Sequence, residues 1–401
     1  MMQITDLKTE EKILPLFRLG FRPFFLFGAA FSFIALFIWM FILKGNQTFS
    51  PLGGGYWWHI HEMIFGFGGA IIAGFLLTAV QNWTGIRGAQ GNTLIVLLVI
   101  WLLGRLALLF PSIFTSTFAI IIDLAFLPSV AYVLGKPIIA IKQYRNLFFV
   151  PLLFIFTIAN VEMYLSLYFP DTVSQQLSGY AGVMLVTFLM SVMAGRVTPM
   201  FTANGTRTTK VDAKPLLEKC ASGSIAVSVL LLLLHPIIGF NPIIFGSIVI
   251  FAGIAQAIRW FRWRPWVTLS VPLLWSLHIS LKFVWVGLIL LGITYLLPKV
   301  PSNHIWHLLT VGGMGGIILA MISRVSLGHT GRSLVPPKVM SAAFISITLA
   351  ALVRVFGPIV MPELTIMMYS ISVLLWFIAF AAFVALYGPM LLKPRADGRP
   401  G

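Results

Sequence analysis

Long apolar runs dominate the chain, separated by short polar or Pro- and Gly-containing breaks. A helix that crosses a bilayer needs roughly 17–25 predominantly apolar residues. Twelve runs approach that length: 23–43, 57–81, 93–110, 113–134, 147–168, 177–200, 221–238, 242–259, 267–292, 304–325, 339–357 and 364–389. The pattern therefore predicts an all-α polytopic membrane protein. Residues 1–22 form an N-terminal segment, 23–390 a twelve-helix transmembrane domain and 391–401 a short tail. The seventh and eighth spans are the shortest, parted only by His235–Asn241.

Composition agrees: 59% of the 401 residues are hydrophobic and 9% are charged. A soluble domain has about 25% charged residues, so soluble, disordered, collagen-like and disulfide-scaffold classes are excluded. The single cysteine, Cys220, can form no internal disulfide, and there is no Cys-x-x-Cys-His attachment site. Any haem is therefore held without a covalent tether. Asp6, Glu10 and Glu11 precede the first apolar run and no signal-cleavage pattern follows, so that run is expected to be retained.

The net charge of +16 suggests nucleic acid in a soluble protein, but here topology explains it. With a cytoplasmic N-terminus, Lys44 and Lys299 face the opposite side, and Arg105, Arg196, Lys282 and Arg354 fall within spans. Every other Lys and Arg lies on the cytoplasmic side. This bias puts both termini in the cytoplasm and makes the lipid bilayer the partner of the basic residues. No nucleic-acid partner is expected.

Intramembrane charge is costly and usually functional or paired. Arg105, Arg354, Glu62 and Glu162 belong to the outer half, Arg196 to an inner helix end, and Lys282 and Asp123 nearer mid-depth. An offset of 246 residues superposes the second span on the tenth: His61 on His307, Gly66 on Gly312, Gly69 on Gly315, and Thr84-Gly85 on Thr330-Gly331. The end of the sixth span, with Arg196 in Arg-Val-Thr, resembles Arg324 in Arg-Val-Ser. The spacing admits a plan of three tandem four-helix units. The repeated glycines read first as close-packing positions.

His59, His61, His304 and His307 gather near the starts of the second and tenth spans. One such histidine reads as an interfacial side chain, but four on two helices point to metal or haem iron. His61 and His307 lead as ligands, with His59 and His304 next. Arg105 and Arg354 suit haem propionates or, equally, pairing with Glu62 or Glu162. Glu62 and Glu162 would support the ligands or handle protons. His278 and Lys282, one turn apart in the ninth span, rank lower. Arg196 and Arg324 do too, and read first as snorkelling anchors. No Walker loop, dinucleotide fingerprint or nucleophile elbow is present.

The stretches Pro15-Leu-Phe-Arg-Leu-Gly-Phe-Arg-Pro-Phe-Phe-Leu26 and Trp58-His-Ile-His-Glu-Met-Ile-Phe-Gly-Phe67 resemble the start of the NnrS family. Residues 73–85, Gly195-Arg196 and the block from His304 to Arg332 extend the resemblance along the chain. It implies a bacterial inner-membrane protein of about twelve helices containing haem b and copper, linked to denitrification and to resistance against nitric oxide and nitrosative stress. Nitric oxide or a nitrosylated species is then the small-molecule ligand. If the protein is an enzyme, the resemblance implies a redox protein acting on nitric oxide or its metal adducts. A transporter or chaperone of metal, haem or a nitrosylated metal complex is the competing expectation.

Overall fold

The computed structural model describes residues 10–46, 48–297 and 301–399; Asp6 and Lys299, named above, lie outside them. Among the described residues there are twelve helices long and apolar enough to cross a membrane, and no strand. The first six are α1 Phe21–Leu43, α2 Gly54–Thr84, α3 Asn92–Leu109, α4 Ser116–Ala140, α5 Tyr144–Tyr168 and α6 Gln175–Thr206. The others are α7 Pro215–Leu233, α8 Pro242–Arg262, α9 Pro272–Leu296, α10 Ser302–His329, α11 Lys338–Val360 and α12 Pro362–Leu391. All twelve expected spans are present.

Several boundaries move, the seventh span for example to Pro215–Leu233, and two of the shifts have plain local causes. The fourth span was expected from residue 113, but Pro111–Ile113 make a turn and Thr115 caps the helix, its hydroxyl accepting from the Phe118 N–H at 3.2 Å. The ninth was expected from residue 267. Pro265–Thr268 instead form a short 3-10 turn, and the helix begins at Pro272, whose missing N–H costs nothing in a first turn.

The chain divides into two compact units. One comprises the described chain as far as Gln175, with Val325–Ser333 and the segment from Phe383 onward. The other comprises Gln176–Arg324 and Leu334–Ala382. In the first, α1 packs on α2, α3 on α4 and α4 on α5; in the second, α7 packs on α8, α8 on α9, and α9 and α11 on the start of α10.

Helices α2, α6 and α10, singled out by the internal resemblance, are the most enclosed: 83%, 72% and 78% of their apolar windows are buried, against 33–50% elsewhere. Small residues permit this. A Cβ at Gly74 would come within 2.8 Å of Phe24, and one at Gly315 within 2.5 Å of Trp376. The likeness of α2 to α10 extends to the backbone, because each is interrupted by a π-helical stretch, Glu62–Gly68 and Leu308–Gly315. The 246-residue offset nearly superposes the two. Helix α6 has no such stretch. Wide π turns inside α-helices are frequent at functional sites.

Three arginines assigned above to the cytoplasmic side, Arg18, Arg22 and Arg259, are in fact buried. Arg22 is fully enclosed, and its Nη1 donates to the carbonyls of Leu391 (2.9 Å) and Lys393 (2.8 Å). It thereby closes the open C-terminal end of α12. Arg259 is enclosed between α6, α7 and α8, paired with Glu218 at 3.0 Å and donating to Ser191 and Gln256. A Cβ at Gly195 would come within 2.5 Å of both charged groups, so this glycine makes room for the pair.

Candidate functional site

Helix α2 enters from Gly53, whose left-handed backbone (φ 75) and missing Cβ let the Trp57 ring lie against it. One turn later come His61 and Glu62, at the boundary between α-helical and π-helical backbone. Both are completely buried, and the His61 Nδ1 lies 2.9 Å from Glu62 Oε1. Trp57 stacks on the His61 ring, centroids 4.7 Å apart, and donates its indole N–H to the Met163 carbonyl.

Three other helices of the same unit complete the cluster. From α3, Arg105 Nη1 lies 3.0 Å from Glu62 Oε1 and 3.1 Å from Oε2, while Nη2 pairs with Asp123 of α4. From α5, Asn160 donates to Asp123 Oδ2 at 2.8 Å, and Tyr164 donates to the same oxygen at 2.9 Å. Asn160 Oδ1 then faces His61 Nε2 at 2.8 Å, with Asp123 Oδ2 3.2 Å from that nitrogen. Trp101 donates to the Gly66 carbonyl within the π turn. The late start of α4 matters here. It puts Asp123 seven residues into its helix, near the end where Arg105 and Tyr164 lie, and not at mid-depth.

Both His61 nitrogens face oxygen. When the ring is protonated it donates on both sides, and the cluster balances His61 and Arg105 against Glu62 and Asp123. When the ring is neutral, one negative charge remains in surroundings that solvate it poorly. The two ring nitrogens thus couple the protonation of His61 to the charges of Glu62 and Asp123.

The remaining candidates fall as follows. His59 is half-buried and stacks on Trp39, centroids 4.8 Å apart. Glu162 is buried on α5 between Asn160 and Tyr164. In the second unit, the His307 Nδ1 meets the Asn303 carbonyl at 2.7 Å just before the π stretch. His304 Nδ1 lies 3.5 Å from Arg354 Nη1, and Arg354 covers the Tyr369 ring at 3.8 Å. The same offset puts Leu308 opposite Glu62 and Tyr369 opposite Asp123, so the repeat keeps the histidine and loses both acids.

His278 is buried, its Nε2 3.0 Å from Thr202 Oγ1, while Lys282 one turn on is exposed. Arg324 covers Phe201 at 3.9 Å, and Arg196 is half-buried on α6. Among the described residues, no three His, Cys, Asp or Glu side chains are grouped so as to hold a metal ion. Asn160 and Tyr164 were not singled out from the sequence. Their signal was slight, two polar groups one turn apart in an apolar run.

Membrane-length helices enclosing ionisable side chains define a multi-pass membrane protein with an internal polar site, the class in which such groups serve ions, protons or cofactors. The family described as NnrS protein matches residues 15–395, nearly the whole chain. The chain belongs to that family, which is linked to nitric oxide. No curated protein and no solved structure matches it. Of the two opening motifs, 58–67 supplies His61, Glu62 and the π turn. The other, 15–26, is architectural: besides Arg22 it contains Gly20, where a Cβ would come within 2.7 Å of Leu77.

Proposed function

We propose that the protein is a non-covalent haem b and copper protein of the bacterial inner membrane that acts on nitric oxide or a nitrosylated species and so protects against nitrosative stress. The observation that carries this reading is the buried His61–Glu62–Arg105–Asp123 cluster, set within a family motif at a π-helical turn. Reductive chemistry of nitric oxide consumes protons, and a charge-balanced imidazole is suited to hold and surrender one.

In the second unit, His307 and His304 are the imidazoles that would hold a metal. With its Nδ1–H on the Asn303 carbonyl, the His307 ring has its lone pair on Nε2, the tautomer that metal-binding histidines adopt. His304 lies three residues before it on the same helix. Arg354 would take a propionate through its guanidinium fork by turning from His304 and Tyr369. Arg105 already spends its fork on two carboxylates, which supports the pairing role for it over the propionate role. His61 could ligate through Nε2 only by displacing Asn160. When bound, haem iron supplies a site for nitric oxide and copper an exchangeable electron. The protein's own part is to hold the His61 proton, orient His307 and exclude water.

Purified protein is expected to contain haem and copper, to show a haem absorption band that shifts on adding nitric oxide, and to lose that band in a His304→Ala/His307→Ala variant. Absence of the band even after haem supplementation overturns the reading. Buried acid–base clusters also serve proton-coupled transport, which favours metal or haem movement as the second reading. Substrate flux in proteoliposomes without redox turnover would select it.

A further inference from the structure

A groove of about 590 Å³ runs between α3 and α4 of the first unit, away from the His61 cluster. The groove is open along the side of the helix pair. At one end Ile100 and Pro128 form an apolar wall within the middle turns of the two helices; at the other lie Asn92, the first residue of α3, and Tyr132. Lys136 is exposed one turn beyond Tyr132, its ammonium 4.3 Å from the centre of that ring. The site is thus graded along the helix axes, from apolar in the interior of the span to cationic at its end.

The surrounding charge has one sign. Between Gly85 and Val150, Arg87, Lys136, Lys142 and Arg145 are the basic residues beside Arg105, whereas the only acid is Asp123. Arg105 and Asp123 are engaged with each other inside the cluster. Nothing anionic in this stretch remains for Lys136.

We propose that the groove binds one anionic phospholipid, an acyl chain lying along Leu97, Ile100 and Pro128 and the headgroup phosphate meeting Lys136. A chain of methylenes matches the apolar wall. A phosphate matches the exposed ammonium, which a zwitterionic headgroup neutralises less completely because it brings its own cation. The proposal is independent of the haem reading.

The test is native mass spectrometry of the full-length protein with phosphatidylglycerol or phosphatidylcholine of identical acyl chains. Wild type is expected to retain one phosphatidylglycerol about fivefold more strongly than phosphatidylcholine, the factor appropriate to one lysine near an anionic headgroup. Lys136→Gln removes that preference and leaves phosphatidylcholine unchanged. Val96→Trp, which fills the groove from its exposed side, weakens both lipids. Equal retention of the two lipids by wild type overturns the proposal, and that comparison needs no variant to fold. So does retention unaffected by either substitution. Displacement of the lipid by a neutral isoprenoid quinone whose binding ignores Lys136→Gln assigns the groove to a quinone and overturns it too.

Discussion

Arg105 reaches across from α3 to grip Glu62 of α2 by both carboxylate oxygens, at 3.0 and 3.1 Å, and neither side chain has solvent to fall back on. The pair is complete only because the same guanidinium also meets Asp123, whose second oxygen takes hydrogen bonds from Asn160 and Tyr164. Replacing Asp123 by Asn takes the charged acceptor from Arg105 and sets an amide N–H among the donors Asn160 and Tyr164. Asp123→Asn is therefore expected to destabilise the protein by about 1–3 kcal/mol. A thermal midpoint in detergent unchanged from wild type would contradict it.

Gly66 and Gly69 look alike in sequence, both repeated at the 246-residue offset, yet their surroundings differ. A Cβ at Gly66 would lie 2.5 Å from Arg105 Nη1 and 2.9 Å from Glu62 Oε2, whereas one at Gly69 meets only ordinary contacts at 3.9 Å. Gly66→Ala should cost about 1–3 kcal/mol through overpacking against the ion pair. Gly69→Ala should be neutral or slightly stabilising. Parallel melting curves of the two variants decide this.

Arg22 serves two carbonyls at the end of α12 from a wholly buried position. Lysine keeps the charge but has no planar fork. Arg22→Lys is expected to lose about 1–3 kcal/mol, the cost of an unsatisfied buried polar group. Amide exchange at the C-terminal end of α12 should speed up before the rest of the chain is affected.

His235 lies between α7 and α8, its Nδ1 2.7 Å from the Leu232 carbonyl. Burial lowers its pKa below the ordinary 6.5, and the backbone hydrogen bond opposes this only in part. A depressed pKa means that the folded protein binds this proton less readily than the unfolded chain does. The site's contribution to stability is thus present above pH 6.5 and lost as pH falls through and below that value. Wild type should lose more stability than His235→Gln between pH 7.5 and 5. Identical pH dependence of the two would count against the assignment.

Much of this was legible in the residues. The apolar runs specified twelve spans because a helix in lipid must satisfy its own backbone and show hydrocarbon outward. The 246-residue offset found α2 and α10, which share the π interruption, and the motif at 58–67 carried His61 and Glu62 into the site. What escaped was pairing. Arg259 and Arg22 were counted as solvent-side charges, since composition cannot tell a snorkelling arginine from one enclosed by neighbouring helices. Asp123 was read as mid-depth until the turn at Pro111 moved the start of its helix.

Hydrophobicity and helix length are local properties, additive along the chain, so the sequence by itself determined a polytopic helical protein and the number of its spans. An ion pair depends on the rotation and axial level of helices far apart in sequence. That is why only the tertiary structure could decide that Arg105 joins Glu62 to Asp123, with Asn160 closing the ring around His61. A one-turn shift moves a side chain by about 5.4 Å, well beyond hydrogen-bonding reach.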